Sequence, residues 1–159
     1  MLSGIISGTP IWVWPLLVGL ILLGLKASRD RTALCAPSYF YPLLGLLSVR
    51  AVYALGVGPQ VWLGFGVAYV LGTTLGNRFQ ARVILEKTEK HVSLKGEWLT
   101  MFVLMVIFWM NFIGGVTQAI SPETYASDGF KMGFALVAGL AAGSWAGRAL
   151  RTFTTPASL

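Results

Sequence analysis

The sequence has little charge, one cysteine and one histidine, and each shortage excludes a class of protein. Charged residues make up 11% of the 159 residues, whereas apolar types make up 55%. A soluble domain usually carries about a quarter charged residues, so this composition points to the lipid bilayer as the solvent. With Cys35 and His91 each alone in their class, we predict no internal disulfide, no metal site and no haem or iron–sulfur cofactor.

Long apolar runs are what the sequence does have. A membrane-spanning helix needs about 20 apolar residues, with a working range of roughly 17–25. Five stretches approach this length, at about 11–25, 39–57, 60–76, 98–120 and 130–150. The sequence therefore predicts an all-α membrane protein with five transmembrane helices in one domain, 1–159. No basic side chain precedes Lys26, so we expect the first helix to be retained rather than cleaved as a signal peptide.

The basic residues are distributed asymmetrically between the predicted spans. Of the twelve, three follow the first span, five follow the third and two lie at the end of the fifth, whereas Lys131 lies on the opposite side and Arg50 well inside a span. Cytoplasmic loops collect lysine and arginine, so the pattern predicts a bacterial inner-membrane protein with its N-terminus outside and its C-terminus in the cytoplasm. The net charge of +6 then suits the anionic membrane surface, and no nucleic acid partner is expected.

The one sizeable polar segment, residues 79–97, predicts a short cytoplasmic β-hairpin. Two β-prone runs, 83–85 and 92–94, flank a polar centre. A helical extension of the third span is the alternative interpretation. Because an isolated hairpin is marginally stable in water, we expect this one to lean on the helices, the headgroups or a partner.

Small residues recur every four positions in the third and fifth spans. They are Gly64, Ala68, Gly72 and Gly76 in one, and Ala135, Gly139, Gly143 and Gly147 in the other. Such a stripe lets two backbones approach closely, so it predicts packing seams, either within one chain or between copies of a homo-oligomer. The stripes also suggest a parallel repeat of spans 2–3 and 4–5, with chance similarity between apolar segments as the alternative.

Arg50 is the one charged side chain well inside a predicted span, which by default indicates function. In one interpretation it faces a wet cavity and meets an anionic solute or a lipid headgroup. In the other it reaches toward the headgroups or bonds a neighbour such as Asn111. The other polar groups that could line a cavity are Thr73, Thr74 and Gln118.

The predicted spans contain none of the usual catalytic arrangements. We find no carboxylate pair, no nucleophile with a base and no phosphate-binding loop, so the sequence leans against an enzyme.

Two hypotheses about function remain. The preferred one is a transporter or channel for small solutes or lipids, with Arg50 and Asn111 facing its cavity. The other is a non-catalytic accessory protein that binds membrane protein partners. Membrane lipids and further copies of the chain are expected partners of either.

Several short segments carry a family resemblance. They are Thr9-Pro10-Ile11-Trp12-Val13-Trp14, the stretch 92–99 with its Gly96-Glu97-Trp98-Leu99, and Gly147-Arg148-Ala149-Leu150. With the basic loop after the first span, they resemble a group of small five-helix bacterial inner-membrane proteins of unknown function. A more distant likeness is to membrane accessory proteins of cytochrome c biogenesis, although no thiol redox pair corresponds. The resemblance implies no catalytic residues.

Overall fold

The structure, a computed structural model, describes residues 10–34, 41–88 and 90–156, a range that excludes Cys35 and the start of the second predicted span. Six helices and three strands lie in these ranges. In chain order they are α1 (Val13–Ala27), β1 (Arg31–Leu34), α2 (Tyr41–Ala54), α3 (Pro59–Val83), β2 (Ile84–Lys87), β3 (His91–Leu94), α4 (Leu99–Ile120), α5 (Pro122–Ala126) and α6 (Asp128–Thr154).

The centre of the fold is the pair of helices α3 and α6, which run parallel in close contact. The predicted glycine stripes form this contact: Gly72 and Gly76 face the backbone of α6, and Gly143 and Gly147 face the backbone of α3. A Cβ atom at any of these four positions would collide with a carbonyl oxygen of the opposite helix. The seam therefore lies within one chain, and glycine is what allows the two backbones to approach so closely.

The other long helices pack around this pair. Helix α2 lies against α6 and buries Val52 completely in a cluster with Phe65 and Ala135. Helix α4 touches α6 more lightly, through Val103. Helix α1 lies against α4, where the absence of a side chain at Gly24 makes room for a methionine. The result is a layer of α1 and α4 beside a layer formed by α2, α3 and α6.

A three-stranded antiparallel sheet covers one end of the helices, in the order β1–β3–β2. Strands β2 and β3 form a hairpin within residues 79–97, as predicted, and β1 adds a third strand that was not predicted. Val92 and Leu94 of β3 are buried in a cluster with Val83 at the end of α3. The hairpin thus packs against the helices, and the burial of alternate residues of β3 sets its register.

The prediction of five transmembrane helices is wrong. Among the described residues, one helix, α4, is long and apolar enough to cross a membrane, with a mean hydropathy of 2.1 in its most apolar stretch. Helices α1 and α2 have 15 and 14 residues. At 1.5 Å per residue they would reach about 22 Å and 21 Å, short of a hydrocarbon core of about 30 Å. The multi-pass topology is therefore not supported.

Helices α3 and α6 fail the same test for a different reason. Both are long, with 25 and 27 residues, but α3 carries polar and charged side chains toward its C-terminal end and α6 carries charged ones at both ends, and these lower their hydropathy. The predicted repeat of spans 2–3 and 4–5 is also wrong. Its two halves pack differently, because α2 packs on α6 whereas α4 packs on α1 and α6. Membrane location is indicated only by α4, in whose most apolar stretch 22% of the residues are buried.

The close approach of α3 and α6 can be tested with two alanine substitutions in the same helix. We expect Gly72→Ala to lower the free energy of unfolding by about 1–3 kcal/mol, because the added methyl group meets the Leu140 carbonyl. Gly66 has open space where a methyl group would be added, so Gly66→Ala should raise stability by about 0.5–1 kcal/mol through helix propensity. Denaturant unfolding in mild detergent measures both. Equal effects of the two substitutions would contradict the described seam.

Candidate functional site

A buried ion pair joins α6 to the segment that precedes α4. Arg148 on α6 is 4% exposed, and Glu97 is 8% exposed. The Nη2 of Arg148 donates to Oε1 of Glu97 at 2.5 Å. Charges removed from water need such a partner, since an isolated buried charge is strongly destabilising.

Three uncharged side chains complete this cluster. Arg148 donates from Nη1 to Thr100 Oγ1 at 2.9 Å and from Nε to Gln80 Oε1 at 3.1 Å. Glu97 accepts from the Thr100 amide at 2.9 Å and from the Thr100 hydroxyl. Gln80 in turn donates to Thr152 Oγ1 at 3.5 Å. The cluster therefore connects α3, α4, α6 and the segment between the sheet and α4.

The pKa of Glu97 reflects two opposing influences. Burial by itself would raise the pKa, but the Arg148 guanidinium and the hydrogen bonds from Thr100 outweigh it. The pKa of Glu97 therefore lies below its ordinary value of 4.5, and the group is a carboxylate at neutral pH. A carboxylate held ionised in this way is a structural anchor, since an acid or base that works near pH 7 needs a pKa close to that value.

An apolar cleft of about 870 Å³ lies between the two helical layers. This volume falls within the range of about 300–1,000 Å³ that is typical of small-molecule sites. The cleft is lined by residues from four helices, among them Leu16 and Leu20 of α1, Leu47 and Ala51 of α2, Ile107 and Phe108 of α4, and Ala138 and Trp145 of α6. The Arg148 guanidinium lies 5.2 Å from the centre of the Trp145 ring, so the ion pair adjoins one end of the cleft.

The structure brings one of the five predicted cavity residues to this cleft. Asn111 lines it, but its Nδ2 donates to the carbonyl of Ile107 in its own helix at 2.8 Å. Arg50 is exposed on α2 and is not among the residues that line the cleft, although its neighbour Ala51 is, and Gln118 is exposed near the end of α4. The hydroxyls of Thr73 and Thr74 each donate to a carbonyl one turn back in α3, at 2.8 Å. The predicted partnership of Arg50 with Asn111 is absent from the described contacts.

The charge of the chain is concentrated at one end of the fold. We call this surface the basic end: it comprises the sheet, the C-terminal ends of α1, α3 and α6, and the segment before α4. Its cations are Lys26, Arg29, Arg31, Arg78, Arg82, Lys87, Lys90, Lys95 and Arg151. The neighbouring acids in sequence are Asp30, Glu86 and Glu89.

These nine cations against three acids account for the whole net charge of +6. Arg148 and Glu97 neutralise each other in the interior. Elsewhere in the chain, Arg50 and Lys131 balance Glu123 and Asp128. The rest of the molecule is therefore neutral overall, and the basic end is its one strongly charged surface among the described residues.

Sequence reasoning missed the ion pair. It counted Arg148 among the basic residues at the cytoplasmic end of the fifth span, whereas α6 continues to Thr154 and buries it. One signal was available: Arg148 directly follows Gly147, the last small residue of the seam, which is in close contact with α3. Glu97 had been noted only within Gly96-Glu97-Trp98-Leu99, one of the segments that carry the family resemblance.

Comparison with known proteins identifies no relative: no family model, no curated protein and no solved structure matches the chain. The resemblance to small bacterial inner-membrane proteins therefore stays a prediction, and any functional interpretation depends on the cleft, the ion pair and the basic end.

The ion pair can be tested with a double-mutant cycle. We expect Glu97→Gln and Arg148→Met each to lower the free energy of unfolding by about 3–5 kcal/mol. Each substitution removes one charge of the pair and leaves the other charge buried without its partner. The double variant should lose clearly less than the sum of the two. Arg50→Met is the matched control at an exposed helical arginine and should stay within about 0.5 kcal/mol of the unchanged protein. Additive losses in the double variant would contradict the pairing.

The lowered pKa of Glu97 also predicts a pH dependence of stability. In the pH range between the folded and unfolded pKa values, the unfolded chain binds more protons at this site, so acid favours unfolding. The contribution of Glu97 is fully present above pH 4.5 and is lost as the pH falls through the lower, folded pKa. The free energy of unfolding, measured against pH, should therefore fall more steeply below pH 4.5 in the unchanged protein than in Glu97→Gln. Parallel profiles would be evidence against this assignment.

Proposed function

We propose that the protein is a lipid-handling membrane protein that binds an acyl chain, or an apolar molecule of similar shape, in the cleft between its two helical layers. The observation that carries this proposal is the position of the cleft. It is apolar, and α4, the candidate membrane span, forms one of its walls. A cleft beside a membrane span is exposed to acyl chains, which makes them its most accessible ligand.

The exposure of α4 supports this placement. The core helix of a soluble protein would be mostly buried, whereas the most apolar stretch of α4 is 22% buried. Large apolar side chains such as Phe102, Trp109 and Ile113 remain exposed on it. Water is a poor solvent for a continuous surface of this kind, and lipid is a good one.

The polar groups of the structure favour a lipid over a small polar solute. The amide of Asn111 and the hydroxyls of Thr73 and Thr74 bond to carbonyls of their own helices, as such groups commonly do within membranes. Arg50 is not among the residues that line the cleft. A polar solute would meet few groups able to replace its water, whereas an acyl chain needs none.

The charge distribution suggests an orientation. Lysine and arginine collect on the cytoplasmic side of membranes, so we place the basic end at the cytoplasmic face of a bacterial inner membrane and α4 in that membrane. Helix α4 starts at the basic end, and Trp98, which directly precedes it, is 64% exposed. An exposed tryptophan at the start of a span is typical of the headgroup region.

A second candidate function is an accessory role in which the chain binds a membrane protein or another copy of itself. The outer face of α3 favours it, because Leu63, Val67 and Leu75 are exposed on that one side. The two functions predict different positions for bound lipid, in the cleft or merely around the helices, and labelling can separate them.

Photo-crosslinking with a diazirine-bearing phospholipid tests the lipid proposal in reconstituted membranes. We expect labels on peptides that line the cleft, including the buried Ala142 and Trp145. Gly115 lines the cleft and has open space around it, so Gly115→Leu should fill part of the cleft and lower this labelling severalfold. Gly66→Leu is the matched control, since Gly66 is an open helical glycine away from the cleft. Labels confined to the outer face of α3 would reject the cleft as a lipid site and favour the accessory role.

A further inference from the structure

We propose that the basic end is a binding surface for the phosphates of anionic phospholipid headgroups. This inference depends on the proposed membrane placement of α4 but not on the cleft, whose lining includes none of the nine cations. The chemistry required of the partner is a dense array of negative charge in a plane.

Four cations of the basic end, on α3 and the hairpin, are exposed to solvent. Arg78 and Arg82 are both exposed and lie four residues apart, on one face of α3. Lys90 and Lys95, at the two ends of β3, are exposed as well. Each lysine or arginine near an anionic membrane surface contributes about 1 kcal/mol of attraction, which falls off within about 10 Å at moderate salt.

The cations are held on a rigid support. The carboxylate of Asp30 accepts the Gly96 amide at 2.6 Å, and the Glu97 amide donates to the carbonyl of Ala27 at 2.9 Å. These bonds join the end of α1 to the start of α4, and the Glu97–Arg148 pair then joins that start to α6. The cationic surface is thus presented by packed elements, so little conformational freedom is lost when it binds a headgroup layer.

The position of the surface favours membrane headgroups over a nucleic acid, which is the other polyanion that a basic patch could bind. Helix α4 begins at the basic end, so a bilayer that contains α4 places its headgroups at that level. The exposed ring of Trp98 lies beside it and is suited to the same layer. A nucleic acid would make no use of this apolar neighbour.

Lipid selectivity can be measured by electron spin resonance with spin-labelled phosphatidylglycerol or phosphatidylcholine in a phosphatidylcholine membrane that contains the whole protein. We expect phosphatidylglycerol to be preferred by roughly threefold or more at low salt, with the preference much reduced at about 0.5 M salt. Neutralising the cations of α3 and the hairpin, with Arg78→Gln, Arg82→Gln, Lys90→Gln and Lys95→Gln, should abolish most of it. The pair Arg50→Gln and Lys131→Gln is the control, because it removes two cations elsewhere and should leave selectivity unchanged.

Two further arms keep the experiment decisive. The Arg78→Gln and Arg82→Gln pair alone should give a partial loss, which covers the case in which the fourfold variant fails to fold. Inorganic phosphate at constant ionic strength should not compete, because a free phosphate lacks the array of a headgroup layer. Equal affinity for both lipids, an equal loss in the control, full competition by phosphate, or tight binding of a single-stranded RNA without lipid selectivity would overturn the proposal. Cleft labelling without any lipid selectivity would overturn the headgroup proposal and leave the cleft proposal standing.

Discussion

The rest of the structure depends on the backbone contact between α3 and α6. Because glycines at 72, 76, 143 and 147 leave no side chain at four points of this contact, the two backbones approach closely and the helices form one rigid parallel unit. Helix α2 packs on it, and α4 reaches it through α6. The same contact positions the interior charge: Gly147 brings α6 against α3, and the next residue, Arg148, then lies beside Gln80 of α3.

The ion pair and the cleft occupy successive parts of the same layer boundary. At the basic end, Glu97, Thr100 and Arg148 join the start of α4 to α6 within hydrogen-bonding distance. Farther along, the contact between α4 and α6 is sparse and the cleft opens, with Trp145 between the two regions. Polar bonding therefore holds the layers together where the cations gather, and apolar surface is left uncovered where a lipid chain could lie. The proposed binding function needs both parts, since a ligand site requires fixed walls.

The uneven distribution of charge and apolar surface has one physical rationale. The nine cations at the basic end would repel one another in water, and the exposed apolar faces of α1, α3 and α4 would attract each other between molecules. An anionic bilayer would reduce both the repulsion and the association, because its headgroups neutralise the cations while its acyl chains cover the apolar residues. The two proposals concern different regions of the chain, yet they assign it to the same environment.

The sequence by itself determined the helical content, the glycine seams, the hairpin and the asymmetry of charge, because these depend on local periodicity and on residue type. It overestimated the number of membrane spans, since apolar runs do not reveal that α1 and α2 end after 15 and 14 residues or that α6 continues past its apolar stretch to Thr154. The third strand, the Glu97–Arg148 pair and the cleft were decided only by tertiary structure. Each of them joins residues far apart in the chain, and their energies come from packing and desolvation that no local pattern records.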